Sequence, residues 1–187
     1  YEKDQVHLIL GNEIAPFGYG YLIIIKGKGT LAVVFKKVKE NRSSLLENNI
    51  SYFRDKIGIT MIEKKTFGSY GTFDIKNKKI DTNGRLYIGE AGGFQDYLFG
   101  FGIQYALRSG ALAGRSITDL TSFDQLWKKE LKGYMINSYI NRKLYEKLND
   151  AGMETICRFL SRCKNPVENL RQRCSPGYRE KLFSYIV

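Results

Sequence analysis

Val6, Leu8 and Leu10 are interleaved with His7 and Ile9 before Gly11 interrupts the run, a spacing that predicts a β-strand over residues 6–10. Pro16-Phe17-Gly18 reads as a turn leading into a second strand over 18–25, which contains the apolar stretch Tyr21-Leu22-Ile23-Ile24-Ile25. Residues 26–29, Lys-Gly-Lys-Gly, separate it from a third β-rich run at 30–35. A glycine-containing link of about four residues between two such runs is a hairpin signal, so the opening block is expected to be antiparallel. The period then changes. Leu46, Ile50, Phe53 and Ile57 recur at helical spacing and predict a helix over 43–57. Ser44 and Glu47 fit a capping box at its start, and Gly58 fits its end.

Residues 61–65 and 67–75 read as extended. Asn83-Gly84 reads as a tight turn and residues 85–88 as a short strand running into Gly89. A helix is predicted over 103–117, with small residues Ala106, Gly110, Ala113 and Gly114 along it. A helix-interior glycine costs about 1 kcal/mol relative to alanine, so this helix is expected to pack closely against a sheet or a ligand. Ser122 and Gln125 suggest a second capping box opening a long helix to residue 148, with 149–152 ending it. Shorter helices are expected at 153–163, 166–174 and 177–186.

The chemistry concentrates between residues 89 and 103. There a strand end meets Gly89-Glu90-Ala91-Gly92-Gly93-Phe94, a loop to Gly100-Phe101-Gly102-Ile103, and a helix start. Glycines let the backbone turn with no side chain in the way, and a carboxylate one residue past the strand can accept from a sugar hydroxyl. A helix start carries free N–H groups and a partial positive charge suited to an electron-rich ring edge. The bland alternative is a loop that merely packs tightly.

With 187 residues and 43% hydrophobic content, the chain can form a core, and no run approaches the ~18 consecutive apolar residues of a spanning helix. No basic segment followed by an apolar core marks a signal peptide, and the opening Tyr1 is expected of a processed chain or a fragment. Cys157, Cys163 and Cys174 match no metal or redox spacing and read as reduced cytosolic thiols. The net charge of +11 divides as +6 over residues 1–80, −2 over 81–125 and +7 over 126–187. The lysines are scattered rather than gathered with aromatics on one element, which argues against a nucleic-acid partner. They read as solvated surface, or as attraction to an anionic membrane surface or an anionic substrate. His7, the single histidine, reads as a strand residue, and Ser109 as a helix-packing one. Tyr19 and Tyr21 share a sheet face, either as core or as one wall of a long apolar cavity.

Residues 85–117 resemble the second flavin motif of the geranylgeranyl reductase family, within the hydroxylase-like FAD oxidoreductases. That pattern runs Gly-Asp-Ala-Ala-Gly-Phe, two residues, Pro-Leu-x-Gly-x-Gly-Ile, then a helix with Ala-x-x-Ser-Gly-x-x-Ala. Gly89, Ala91, Gly93, Phe94, Leu98, Gly100, Gly102 and Ile103 match it, as do Ala106, Ser109, Gly110 and Ala113. Pro16, Gly18 and Tyr19 are similar to the family's Pro-x-Gly-Tyr-x-Trp segment, with Tyr21 where Trp is usual. Glu90 stands for the usual Asp, Tyr97 for Pro, and Ile24 or Ile25 for a later Pro. The family's opening strand, Gly-x-Gly-x-x-Gly and helix, which cradles the FAD pyrophosphate, is absent from these residues. Gly18-Tyr19-Gly20 and Gly27-Lys28-Gly29 lie in strand and hairpin contexts.

The resemblance implies an α/β (α+β) chain: part of an antiparallel substrate-domain sheet (1–80), a returning part of the FAD-binding domain (81–121) and a helical region (122–187). It implies an FAD-dependent oxidoreductase reducing carbon–carbon double bonds of isoprenoid chains in lipids or pigments. Gly89, Glu90, Ala91, Gly93, Gly100, Gly102 and Ile103 would be at the cofactor, and Tyr19 and Tyr21 at the substrate. The expected electron donor is NAD(P)H or ferredoxin, and the expected location is cytoplasmic with peripheral membrane association. No catalytic acid and no metal ligand is identified. A flavin monooxygenase or halogenase relative and a non-catalytic lipid-binding remnant are the alternatives.

Overall fold

The computed structural model describes residues 4–36, 42–71, 75, 79–166, 168, 169 and 172. It is mixed α/β, with five helices and one three-stranded antiparallel sheet among those residues. The chain divides into two compact units, one running through residue 67 and taking in 146–162, the other comprising 68–145 and the described residues after 162.

In the first unit, β1 (Gln5–Ile9), β2 (Tyr19–Ile25) and β3 (Lys28–Val34) lie in the order β1-β2-β3. The β2–β3 link is tighter than the four-residue turn expected from sequence. Ile25 pairs with Lys28, so only Lys26 and Gly27 turn, with φ of 49° and 75°. Two consecutive positive φ values match the right-handed twist of flanking strands. The Lys26 amide donates to the Asp4 carboxylate at 3.0 Å, which holds the non-glycine position.

Helix α1 (Arg42–Ile57) covers one face of this sheet. Ile9, Leu22 and Ile24 pack there with Phe53 and Ile59 into a buried cluster. Gly58 closes α1 with φ +71° and a 2.8 Å bond to the Arg54 carbonyl, as its sequence predicts. The expected start moves, because the helix begins at Arg42 and Ser44 lies inside it, not at the N-cap. Asn49 is fully buried, and its Nδ2 donates to the carbonyls of Ile14 (2.9 Å) and Leu45 (2.8 Å). A methyl on Gly20 would lie 2.0 Å from Asn49 Oδ1, so glycine there lets α1 approach β2.

The first unit also holds α5 (Asp150–Arg162). Asn149 begins this helix instead of ending the preceding one, which corrects the sequence reading. Its Oδ1 accepts from the Gly152 amide at 2.9 Å, the bond an N-cap makes. Asp150 Oδ1 accepts from the Asn12 backbone and side-chain amides at 2.9 and 3.1 Å, tying α5 to the turn after β1. The helices expected at 166–174 and 177–186 lie partly or wholly outside the described residues, as does Cys174. Of the runs 61–65 and 67–75, read as extended from sequence, residues 61–65 and 67–71 join no described strand and are exposed, and 72–74 lie outside the described residues.

In the second unit, α2 (Ile103–Thr118), α3 (Phe123–Glu130) and α4 (Lys132–Tyr145) pack around Phe94, Tyr97, Leu112, Phe123, Trp127, Leu131 and Met135. Ser122 caps α3, accepting from the Gln125 amide as predicted. The single long helix expected from 122 is broken at Leu131, whose side chain is wholly buried. The break exposes the Glu130 carbonyl to Arg108 of α2, which donates to it at 3.1 Å, while Arg115 pairs with the Glu130 carboxylate at 3.0 Å. Lys79 is almost fully buried here, with its amine 5.3 Å from the Phe94 ring and 5.4 Å from Trp127, and donates to the Ile75 carbonyl. Ring faces partly compensate a desolvated ammonium.

Residues 85–88, expected as a strand, supply only an isolated bridge between Leu86 and Ile80. A strand is stable as one member of a ladder, and no second strand stands beside it among the described residues. The Asn83-Gly84 turn forms as expected, with the amides of Asn83 and Arg85 both donating to Asp81 Oδ1 at 2.9 and 2.8 Å.

Candidate functional site

The glycine-rich segment turns back on itself immediately after Ile88. Ile88 is extended (φ −115°, ψ 167°), Gly89 takes φ +54°, and residues Gly89–Gly92 form one 3-10 turn. Gly93 at φ +69° ends it, with its amide and that of Phe94 donating back to Glu90 and Gly89 carbonyls at 2.8 Å. Positive φ suits glycine at both corners. The crossing is also close. A methyl on Gly92 would meet the Tyr87 carbonyl at 2.4 Å and the Phe94 ring at 2.9 Å, and one on Gly89 would meet the Ala106 Cβ at 3.2 Å.

Ser109 fastens this turn to α2. Its buried hydroxyl accepts from the Gly89 amide at 2.9 Å and donates to the Ala106 carbonyl at 3.1 Å. Sequence reading treated Ser109 as a packing residue, and the structure adds a positioning bond to the turn itself.

The following loop is held from beneath. Tyr97 is buried, and its phenol donates to the Gly93 carbonyl at 2.7 Å. Ser138 of α4 accepts from the amides of Tyr97 (2.7 Å) and Leu98 (3.0 Å) and donates to Asp96 Oδ1 (2.5 Å), which employs its whole hydrogen-bonding capacity. Asp96 Oδ2 accepts from the Phe99 amide at 2.6 Å, and Arg142 donates to the Leu98 carbonyl at 3.0 Å. Tyr97 thus ties the loop at the position where the resemblance has proline, by a side-chain bond in place of a rigid ring. Asp96, Ser138 and Arg142 were not singled out from sequence. Ser138 and Arg142 lie some forty residues away in ordinary helical sequence that carries no local signal.

The loop delivers the chain to the start of α2 at Gly100, Gly102 and Ile103. Gly100 takes φ +82°. Gly102 occupies the N-cap with no side-chain cap, no acidic residue lies in the first turn, and a methyl on Gly102 would meet nothing within 4 Å. Ile103 is 82% exposed. Glu90 and Ala91 are exposed too, whereas Gly89, Gly92 and Gly93 are buried. The structure therefore brings Gly89, Glu90, Ala91 and Gly93 into one turn bonded to α2, with Gly100, Gly102 and Ile103 at that helix's start. It shows no sheet beside them among the described residues of this unit.

Tyr19 and Tyr21 lie in the first unit. Their rings stack at 6.1 Å with 27° between planes. The register Val6↔Ile23 and Leu8↔Tyr21 places Val6, Leu8, Tyr21 and Ile23 on the sheet face away from the α1 cluster. This second face is apolar: Val6 and Leu8 are 73% and 59% exposed, Tyr21 and Ile23 are half-buried, and Tyr19 is buried. His7, on the α1 side, pairs its Nε2 with the Gln5 side-chain oxygen at 3.0 Å. Cys157 and Cys163 are free thiols. No described helix is long and apolar enough to cross a membrane.

No protein-family model matches the chain, and no solved structure matches it significantly. Two curated proteins do. The digeranylgeranylglycerophospholipid reductase of Methanocaldococcus jannaschii is 30% identical over 175 residues, covering 85% of this chain and 44% of that protein. The protein of the same name from Methanosphaerula palustris is 30% identical over 168 residues, covering 79% of this chain and 42% of its own length. The chain thus spans less than half the length of the curated relatives it matches. Over the part of those proteins that it covers, this chain is geranylgeranyl reductase-like.

Proposed function

We propose that this chain forms part of an FAD-dependent reductase that saturates double bonds in the isoprenoid chains of a glycerophospholipid. The observation that carries the reading is the 89–103 segment: a glycine turn bonded to α2 through Ser109, leading to a helix start that neither a side chain nor a first-turn acid neutralises. The names of the two relatives supply the substrate class.

The residues fit a flavin on physical grounds. Gly102 leaves open space where a side chain would stand, and the helix start offers N–H groups and positive potential to an electron-rich ring edge. Glu90, exposed one residue into the turn, can accept from a ribityl or ribose hydroxyl. Bound flavin would supply hydride transfer, the step that no side chain here performs. The protein's own part is to hold the ring through the turn. The second sheet face, bearing Tyr21, Ile23, Val6 and Leu8, with Tyr19 stacked beside Tyr21, offers a wall for the isoprenoid chain. The electron donor would be NAD(P)H or ferredoxin, the location cytoplasmic, and access to the lipid by peripheral association with a membrane.

On this reading the pyrophosphate is held by polypeptide other than these 187 residues, in which no Gly-x-Gly-x-x-Gly precedes a helix. The test is therefore made on the chain combined with a polypeptide carrying that motif, FAD, dithionite and digeranylgeranylglycerophospholipid. Product mass should rise by two hydrogens for each double bond reduced, and Gly102→Asp should weaken FAD binding at the helix start. Oxygen consumption with a hydroxylated product would instead make the protein a monooxygenase relative. Lipid binding with no flavin uptake would make it a non-catalytic lipid binder.

A further inference from the structure

Among the described residues, Lys79 is the only charged side chain that is buried, at 7% exposure. Taking an ammonium out of water is costly, and an apolar residue of like size usually serves a core as well or better. A lysine here needs a reason beyond filling space, and departures of this kind gather at functional sites. Its surroundings supply one. The Lys79 carbonyl accepts from the Tyr87 amide at 2.9 Å, beside the Ile80–Leu86 bridge, so it closes the short hairpin that leads into the glycine turn. Its ammonium lies 5.3 Å from the Phe94 ring and 5.4 Å from the Trp127 ring and donates to the Ile75 carbonyl at 3.1 Å. Phe94 is the residue that leaves the turn. It is fully buried, its amide donates to the Gly89 carbonyl at 2.8 Å, and its ring lies 2.9 Å from where a methyl on Gly92 would stand. The Tyr87 carbonyl crowds the same glycine, at 2.4 Å from that methyl position.

From this geometry we infer that Lys79 is a positioning residue for the glycine turn, acting through Phe94 to hold the backbone path that receives the flavin ring. The flavin part of this role rests on the flavoenzyme reading above. One residue holds the chain on both sides of the turn. Its carbonyl fixes Tyr87 before the turn, and its ammonium fixes the Phe94 ring after it. A cation attracts a ring face and so favours one ring orientation, which an aliphatic side chain of the same length does not do. Trp127 of α3 gives the ammonium a second ring and meets Phe94 edge to face, with centroids 5.7 Å apart. Tilting Phe94 away from Gly92 therefore loses contact with both the cation and the indole. Ser109 secures the turn where it begins, at the Gly89 amide, and Lys79 secures it where it ends.

The whole 187-residue chain is compared with its Lys79→Met and Lys79→Arg variants by thermal melting, hydrogen exchange and the emission of Trp127, its single tryptophan. Methionine keeps the length and removes the charge, so Lys79→Met should melt at or above the parent. Its Gly93 and Phe94 amides, which close the turn, should exchange about tenfold faster or more, with α2 and α3 unchanged. Trp127 emission should shift as the ammonium leaves its ring. Arginine keeps the charge and stacks on aromatic faces, so Lys79→Arg should return both amides and the emission to parent values. In a Phe94→Leu background, Lys79→Met should add no further acceleration, because the two side chains act as one. A Lys79→Met chain that fails to fold, or that loosens α2, α3 and the turn alike, marks a core role and overturns the proposal. Unchanged turn exchange or emission in Lys79→Met, an arginine variant as loose as the methionine one, or additive effects in the double variant overturn it too. In the combination with FAD described above, Lys79→Met should weaken flavin binding about tenfold, and an affinity equal to the parent's counts against the positioning role. If the parent combination takes up no FAD, the flavoenzyme reading falls and the exchange of Gly93 and Phe94 alone decides whether Lys79 positions the turn, so the two fail separately.

Discussion

The sheet of the first unit and the glycine loop of the second are held by different physics. In the sheet, position follows from repetition: each strand is fixed by its neighbour and by an apolar face on α1, so the burden is spread over Ile9, Leu22, Ile24, Phe53 and Ile59. The loop has no repeat to lean on. Its shape rests on a few polar atoms, chiefly the hydroxyls of Ser109, Tyr97 and Ser138 and the carboxylate of Asp96. A surface built by repetition tolerates small losses and suits a general apolar wall. A segment built by single bonds takes up one defined backbone path and is sensitive to the loss of any one of them.

Glycine positions give the strongest test of that contrast. A methyl on Gly18 would sit 1.8 Å from the Val34 carbonyl, and one on Gly92 would sit 2.4 Å from the Tyr87 carbonyl. In both cases the obstacle is backbone. Gly18→Ala and Gly92→Ala should each cost about 3 kcal/mol or more, the upper range for overpacking. Hydrogen exchange should separate them. Gly18→Ala should loosen the whole β2–β3 ladder, whereas Gly92→Ala should loosen the turn at 89–93 with α2 largely retained. Uniform loosening of α2 in Gly92→Ala would mean that the loop is no more local than the sheet.

Next in size is Ser138→Ala. It leaves the amides of Tyr97 and Leu98 and one oxygen of Asp96 without their partner. An orphaned buried polar group costs about 1–3 kcal/mol, so a loss of about 2–3 kcal/mol in urea unfolding is expected, with faster exchange at 96–100. Tyr97→Phe removes the phenol bond to Gly93 and should cost about 1 kcal/mol. If Ser138→Ala costs no more than Tyr97→Phe, the loop does not depend on that hydroxyl as its geometry indicates.

These two variants also mark how far the sequence could be read. The three strands, α1 with its Gly58 stop, the Ser122 cap and the Asn83-Gly84 turn were legible because each has a short-range cause: alternation, helical spacing, a side chain reaching its own backbone. The joining of Gly89 to α2 was legible only as a motif, since the glycine spacing announces a turn and not its partner. Ser138 was not legible at all, because its role comes from α4 passing beneath the loop. The break at Leu131 was missed for a similar reason. Nothing in 122–148 but Gly133 disfavours a continuous helix, and tertiary burial of Leu131 decided the matter. Asn149 was misread because asparagine serves either end of a helix, and only the bond to Gly152 distinguishes them.

The smallest effect on stability carries the most about function, because one sheet presents both kinds of surface. Leu22 faces α1 and is 4% exposed, so Leu22→Ala should cost about 2–5 kcal/mol through lost burial and a cavity. Val6 and Leu8 lie on the opposite face of the same sheet, already in water. Replacing both by threonine keeps β-branched or strand-compatible side chains and should change stability by no more than about 0.5 kcal/mol. If this second face is the wall for an isoprenoid chain, lipid would cover these two side chains. Each apolar side chain so buried contributes about 1.5–3 kcal/mol, so losing both should lower retention of digeranylgeranyl lipid more than tenfold in a vesicle or micelle binding assay. A double variant that folds normally and retains lipid undiminished would detach this face from the substrate. The stacked Tyr19–Tyr21 pair would then be left as packing at the sheet's end, and the first unit would contribute scaffold alone.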